Sequence, residues 1–132
     1  MTSGRPAIIE HLPETIDAEQ AEKIYRALQT ALADDRPRIV FDFTQVRDFG
    51  SIGVELLLRC MEEAMKRNGD LKLAAVSPQQ AVVLEMMRVD TLFEIYETVT
   101  DAVESFRRYS PQAIRAMEQE RSAERRAPKN HG

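Results

Sequence analysis

A strand, a glycine-containing loop and an apolar helix follow one another in residues 38–58, and this order constrains the fold more than any other feature. Ile39, Phe41 and Phe43 alternate onto one face of the predicted strand, and Val40 lies on the other. A run that is apolar on both faces is typical of a central strand covered on both sides. Helical spacing then takes over at Val54, Leu57, Leu58, Met61 and Met65.

Strand and helix patterns also alternate through the rest of the chain. Short apolar runs predict strands at 7–12, 71–76 and 93–96. Helices are predicted to start at the capping residues Asp17, Ser77 and Thr98. Gln20 and Gln80 are placed to complete capping boxes with Asp17 and Ser77, and the first helix is predicted to continue to Leu32. Gly69 is placed for the left-handed turn that ends the central helix. The alternation predicts an α/β domain with a mostly parallel sheet of about four strands.

Charge divides the chain into an acidic body and a basic end. Residues 107–132 contain seven Lys or Arg against three Glu, a net charge of +4; the whole chain carries −4, which leaves −8 for residues 1–106. We divide the chain into a flexible leader at 1–6, a domain at 7–106 and a basic, marginally helical tail at 107–132. Ile114 and Met117 are the large apolar residues of the tail's helical stretch, too few to dock it firmly.

Composition argues against several classes of function. Aromatic residues make up 6% of the chain and Trp is absent, which disfavours a base-stacking nucleic-acid platform. No apolar run approaches the roughly 20 residues that cross a bilayer, and the N-terminus lacks a signal-peptide core, so we expect a cytoplasmic protein. Cys60, the single cysteine, is expected to be a reduced and buried residue of the central helix.

Catalytic and metal-binding patterns are not recognisable in the sequence. His11 and His131 are far apart and Cys60 has no thiol partner, so no metal site is expected. Gly50 and Gly53 are not followed by the Lys-Ser/Thr pair of a phosphate-binding loop. No nucleophile can be placed beside a base. The sequence therefore predicts neither an enzyme nor a cofactor.

Ser51 has two interpretations that do not exclude each other. Serine is among the best residues at a helix start, so its hydroxyl is expected to cap the central helix. A hydroxyl presented at a helix N-terminus is also a place where a phosphate is stabilised by the helix dipole and by free N–H groups.

The loop and the segments around it resemble the STAS domains, the family of anti-sigma factor antagonists. Members have a strand, a loop of the type Asp-Ser-Ser-Gly-Leu and an apolar helix in this order. The resemblance extends over most of residues 7–106, and the motifs that carry it are Leu12-Pro13, Ile16-Asp17-Ala18, Val40-Phe41-Asp42-Phe43 with Val46, Asn68-Gly69, Leu71-Lys72-Leu73, Val76-Ser77-Pro78 and Leu92-Phe93. It implies a single domain with a mixed, mostly parallel sheet of four to five strands and packed α-helices.

The resemblance also implies partner switching. In the family, the unphosphorylated domain binds an anti-sigma factor with serine-kinase activity, and phosphorylation of a loop serine breaks the complex. Aligned without gaps, Gly50 falls on the family's Asp, Ser51 on its first Ser, Ile52 on its phosphorylated Ser and Gly53 on its Gly. Because isoleucine cannot accept phosphate, the usual switch is not expected, and Ser51 remains as a candidate non-standard acceptor.

We therefore interpret the chain as a regulatory module that binds an anti-sigma factor, a serine kinase or a related regulatory protein. It is not expected to bind nucleic acid directly or to insert into a membrane. The predicted partner-binding loop consists of Asp48, Phe49, Gly50, Ser51, Ile52, Gly53 and Glu55. The alternative is a cytoplasmic subunit of a lipid-transport ABC system, a role that other STAS domains serve.

Overall fold

A computed structural model describes residues 6–108, which form a sheet with helices on both faces. Its strands are β1 (Ile8–His11), β2 (Arg38–Asp42), β3 (Asp70–Ala74) and β4 (Glu94–Tyr96). Its helices are α1 (Ala18–Ala27), α2 (Gln29–Leu32), α3 (Gly50–Lys66), α4 (Pro78–Met86) and α5 (Val99–Arg108), and a 3₁₀ turn spans Asp90–Leu92. The predicted leader up to residue 5 and the predicted tail from residue 109 lie outside the described residues.

Strands that are adjacent in sequence are also neighbours in the sheet. The order is β1-β2-β3-β4, and each pairing between these strands is parallel. The register places Ile39 of β2 between Ile8 of β1 and Leu71 of β3. Strand β2 is internal, as predicted, and its residues 39–41 are fully buried. The predicted α/β class and mostly parallel sheet are confirmed.

Apolar clusters lie on both faces of the sheet because the side chains of β2 alternate between them. Ile39 and Phe41 belong to the main core, together with residues of α1, α3 and α4 such as Ile24, Leu57 and Leu84. Val40 belongs to a second cluster with Ala74 of β3 and with Ala102 and Phe106 of α5. Helix α5 packs against β2, β3 and β4 on this second face.

A buried lysine lies under α5. Lys72 of β3 is 2% exposed, and its Nζ donates a hydrogen bond to the hydroxyl of Ser105 at 2.6 Å. The same atom lies 3.1 Å from Glu94 Oε1 of β4 and 4.3 Å from the centre of the Phe106 ring. Burial alone would raise the pKa of Glu94, but hydrogen bonds from Tyr96 and Lys72 and the lysine charge lower it. The ammonium group thus connects β3, β4 and α5.

Three of the predicted capping side chains are found at the starts of α1, α4 and α5. Asp17, Ser77 and Thr98 each accept a hydrogen bond from the backbone N–H three residues further on, at 2.8, 3.2 and 3.0 Å. The prediction of one helix from Asp17 to Leu32 was wrong, because the helix is divided at Leu28 into α1 and α2.

The end of α3 also differs from the prediction. Asn68, and not Gly69, has the left-handed conformation, with φ of 61°. Gly69 is required for another reason, since a Cβ atom there would lie 2.2 Å from the carbonyl oxygen of Pro37. The same oxygen accepts a hydrogen bond from the N–H of Asp70 at 2.9 Å. This close approach fixes the start of β3 beside the start of β2.

Candidate functional site

The segment that follows β2 is anchored on one side by the segment that follows β1. The N–H groups of Arg47 and Asp48 both donate to the carbonyl oxygen of Glu14, at 2.8 and 3.0 Å. In return, the Asp48 carbonyl accepts a hydrogen bond from the N–H of Ile16 at 3.1 Å. These backbone bonds fix the path of the loop just before α3 begins.

A buried glutamine anchors the same segment on the other side. Gln80 of α4 is 2% exposed, and its Nε2 donates to the carbonyl oxygen of Arg47 at 2.7 Å. The sequence predicted that this side chain would complete a capping box with Ser77, but it points to Arg47 instead. Its Oε1 is buried without a hydrogen-bond partner. Helix α4 therefore contacts the loop through one amide group.

Helix α3 starts earlier than predicted. Its first backbone hydrogen bond joins the N–H of Gly53 to the carbonyl of Phe49 at 3.1 Å, and no side chain caps this end. The prediction that Ser51 is the N-cap was wrong, because Ser51 already lies inside the first turn and is exposed. Gly50 has φ of 62°, a left-handed conformation that favours glycine. The turn at Gly50 thus takes the place of a side-chain cap.

Within the predicted partner-binding loop, exposed and buried residues are clearly separated. Phe49 and Gly53 are buried, and a Cβ atom at Gly53 would lie 2.5 Å from Cδ1 of Phe49. The Phe49 ring packs against Phe43 with a centroid distance of 5.0 Å. The residues of the loop that face solvent are Asp48, Gly50, Ser51, Ile52 and Glu55. The buried pair shapes the loop from inside, and Ile52, which is 38% exposed, is the large apolar side chain on its surface.

A polar cluster that the sequence analysis did not identify lies at the same edge of the sheet. Asp42 at the end of β2 accepts hydrogen bonds from the backbone N–H of Thr44 at 3.0 Å and from the Thr44 hydroxyl. Its other carboxylate oxygen lies 2.7 Å from Nδ1 of His11 at the end of β1. Burial alone would raise the pKa of Asp42, but the hydrogen bonds from Thr44 and His11 lower it. The spacing of Asp42 and Thr44 is a local signal, whereas the contact with His11 depends on the strand register.

Replacing Asp42 by asparagine is expected to reduce the free energy of unfolding by about 1 kcal/mol at pH 7, because hydrogen bonds to a charged acceptor are lost. A carboxyl group whose pKa is lower in the folded state stabilises the protein above its unfolded pKa, about 3.9, and this contribution is lost as the pH falls through the folded value. The difference between the two proteins should therefore shrink below about pH 4.

Urea denaturation between pH 2 and pH 7 measures this difference. Asp48→Asn is the matched control, since Asp48 is an exposed aspartate at the same edge of the sheet. A constant difference between wild type and Asp42→Asn across the whole range would contradict the hydrogen-bonded carboxylate.

Metal and thiol chemistry have no support in the described part of the chain. Among residues 6–108, no group of three or more His, Cys, Asp or Glu side chains is arranged to hold a metal ion. Cys60 is buried, as predicted, and burial raises the pKa of its thiol to about 12. The reactive thiolate is therefore scarce at neutral pH. None of the described helices is long and apolar enough to span a bilayer.

Comparison with known protein families identifies the family to which this chain belongs. The family profile described as STAS domain matches residues 2–102, which is most of the chain. The chain belongs to the STAS domain family. The resemblance of this STAS domain seen in the sequence is thereby confirmed. No curated protein sequence matches the chain.

Solved structures similar to this STAS domain include anti-sigma factor antagonists. A STAS domain protein described as an anti-sigma-factor antagonist from Planctomyces limnophilus is 25% identical, with a TM-score of 0.66 over 74% of this chain and 87% of that one. The Bacillus cell fate determinant SpoIIAA, solved in its phosphorylated form, is 22% identical, with a TM-score of 0.62 over 80% of this chain and 96% of that one. A sulfate transporter family protein from Wolinella succinogenes shares the fold, at 15% identity and a TM-score of 0.58 over 75% of this chain and 83% of that one.

Proposed function

We propose that this STAS domain is a regulatory, non-catalytic module that binds an anti-sigma factor, or a related serine kinase, through the exposed residues of the 48–55 loop. The observation that carries the proposal is the form of this loop. It is fixed by Glu14, Ile16 and Gln80 behind, and it presents Ile52 and Ser51 to solvent in front. A rigid loop with an exposed apolar side chain binds a partner without a large ordering cost. The likeness to the STAS domain protein from Planctomyces limnophilus, which is described as an anti-sigma-factor antagonist, supports the class of partner.

The proposed module does not use the switch of its family. A phosphate on the loop would add about two negative charges next to a partner surface, which is costly in Coulomb and desolvation terms. Ile52 stands at the family's acceptor position and has no hydroxyl. Ser51 is the hydroxyl residue in the 48–55 loop, and it is exposed. We therefore expect the domain to be competent for binding as synthesised, with Ser51 as the position where a displaced acceptor would have to lie.

Binding is tested with the immobilised full chain in a lysate of its native cell, followed by titration with the captured protein. Ile52→Glu should weaken the affinity by about 10-fold or more, because a charge replaces the central apolar contact. Met65→Glu is the matched control, since Met65 is an exposed apolar residue at the other end of the same helix. Equal affinity of wild type and Ile52→Glu would contradict the proposed surface. Capture of an ABC permease in place of a kinase would favour the lipid-transport alternative.

The phosphorylation state is tested by incubating the chain with the captured kinase and ATP and mapping phosphate by mass spectrometry. We expect no phosphate in the wild-type loop. Ile52→Ser restores a hydroxyl at the family position, and this variant should be phosphorylated and released by its partner. Stoichiometric phosphoserine at Ser51, accompanied by release of the partner, would overturn the absence of a switch and identify Ser51 as a displaced acceptor.

A further inference from the structure

Helix α3 carries apolar side chains on a surface that the fold does not bury. Leu58 and Met61 are only partly buried, and Met65 is 60% exposed. Their spacing of three and four residues places them along one flank of the helix. A helix on the surface of a domain normally has polar residues on its outer side. We call these three residues the apolar row.

A line of charges runs along α3 beside the apolar row. Its members are four, three and four residues apart, so they follow one side of the helix, and all of them are exposed: Glu55, Arg59, Glu62 and Lys66. The signs alternate between negative and positive along the helix. We call these residues the charged row. The two rows together line an open depression on the outer side of α3.

The charged row is not neutralised by pairing within itself. A glutamate binds well to a basic residue four positions later in a helix, which would join Glu55 to Arg59. Instead, Nη1 of Arg59 lies 2.9 Å from Oε2 of Glu22 in α1, and its guanidinium stacks 3.6 Å from the centre of the Tyr25 ring. Within residues 6–108, neither Glu55 nor Glu62 makes a side-chain hydrogen bond or an ion pair. Two carboxylates are therefore available on this surface.

The charged row is complementary to itself when it is read in the opposite direction. In two antiparallel helices centred between residues 60 and 61, Glu55 faces Lys66 of the second copy, and Arg59 faces Glu62 of the second copy. A two-fold axis makes each of these contacts twice. A parallel pair in register would instead place like charges opposite each other. The order of the charges thus favours an antiparallel pair.

We propose that two copies of this chain associate through antiparallel α3 helices, with four ion pairs beside a shared apolar contact. The two-fold axis crosses both helices and leaves each flank on its own side, so Leu58, Met61 and Met65 of one copy meet the same residues of the other. Lys66 contacts Glu63 of its own helix at 3.3 Å, an exposed pair that a second copy replaces readily.

Arg59 is already oriented for this contact. Its bond to Glu22 and its stacking on Tyr25 hold the side chain against α1. A guanidinium has five N–H donors, so it can bind Glu22 and a second carboxylate at the same time. The contact with Glu62 of the second copy therefore needs little further ordering of Arg59.

The association is expected to be weak and separate from the proposed contact of the loop. Residues 55–66 span about 17 Å of helix, and interfaces below the standard size belong to weak complexes. We expect a Kd on the order of 10 to 100 µM. The paired region shares Glu55 with the loop and ends before Ser51 and Ile52. Its test needs no other protein, so its failure and the failure of the proposed function are distinguishable.

Sedimentation velocity of the full chain between about 1 and 500 µM measures the association, and wild type should change from the mass of one chain to the mass of two. Lys66→Glu and Glu55→Lys each place like charges opposite each other, and each should weaken the dimer about 10-fold. The double exchange of Glu55→Lys with Lys66→Glu restores opposite charges and should recover most of the affinity. Met65→Glu should weaken the dimer about 10-fold or more, because it charges the apolar row.

Glu104→Lys is the matched control, since Glu104 is an exposed glutamate of α5, on the other face of the sheet, and its reversal should leave the dimer unchanged. Melting curves of the dilute variants should stay within about 3 °C of wild type. A lower melting temperature of Met65→Glu alone would show that the chain's own residues cover the apolar row, and would overturn the proposal.

Salt gives a second measurement that needs no variant. Raising the NaCl concentration from about 0.05 M to 0.5 M should weaken the wild-type dimer at least about 3-fold, because ion pairs at a surface are screened. The mass of one chain at every concentration would overturn the proposal. A dimer that resists both single charge reversals, or one that the double exchange does not restore, would overturn the antiparallel pair.

Discussion

Gly69→Ala is expected to reduce the free energy of unfolding by about 3 kcal/mol, because the new methyl group would clash with backbone atoms of Pro37. Its Cβ atom would lie 2.2 Å from the Pro37 carbonyl oxygen and 2.6 Å from the Pro37 nitrogen. Both are backbone atoms at the start of β2, so relief requires β2 and β3 to separate where Asp70 donates to the same oxygen. Urea denaturation followed by far-ultraviolet circular dichroism measures the loss.

Gly50→Ala is the control for this experiment. A Cβ atom at Gly50 meets no atom within 4 Å, so its cost is limited to the left-handed backbone, about 1 kcal/mol. The two variants distinguish two requirements for glycine. Gly69 is required because neighbouring backbone atoms are too close for a Cβ atom, and Gly50 is favoured because its backbone is left-handed. A loss at Gly69 no greater than the loss at Gly50 would contradict the close contact between the two strands.

Lys72→Ala is expected to cost about 3 kcal/mol, and Lys72→Met less than about 1 kcal/mol, although both remove the charge. The side chain is 3% exposed, so truncation to alanine leaves a cavity under α5, whereas methionine keeps the volume. The groups that Lys72 bonds in wild type keep other hydrogen-bond partners in both variants. Ser105 still donates to the Ala102 carbonyl at 2.6 Å, and Glu94, half exposed, keeps its bond from Tyr96 at 2.8 Å and is hydrated.

Chemical denaturation of the three proteins at pH 7 gives both values. A penalty for Lys72→Met as large as that for Lys72→Ala would show that the ion pair, rather than the packing of the aliphatic stem, stabilises this face. The pH dependence gives a second readout. Because the pKa of Glu94 is lowered in the folded state, its contribution is present above its unfolded pKa and fades as the pH falls. That fading should be weaker in Lys72→Met.

The sequence predicted the parts of the fold that depend on local patterns. The alternation of strand and helix periods identified all four strands of the sheet, and the caps at Asp17, Ser77 and Thr98 were placed correctly because each cap acts within three residues. The central position of β2 followed from the apolar run of residues 39–41.

Features that depend on distant residues were missed or placed wrongly. Lys72 stands between two leucines in the sequence, where a polar residue predicts an exposed position. It is buried because α5 packs over it. The contact of His11 with Asp42 requires the β1–β2 register. Ser51 was predicted as the cap because serine caps helices well, but the left-handed turn at Gly50 starts the helix two residues earlier. The part of the site predicted from sequence is the loop, and its binding role stays a prediction.

The sequential order of the strands also has a consequence for how the chain folds during synthesis. Each strand after β1 pairs with the strand made just before it, so its partner has already been synthesised when it emerges. Every member of the main core lies at or before Phe93. The residues of that core therefore leave the ribosome before the residues of α5, because the chain is synthesised from its N-terminus. The second face is completed by Ala102, Ser105 and Phe106, so the burial of Lys72 requires residues that are synthesised after the whole main core.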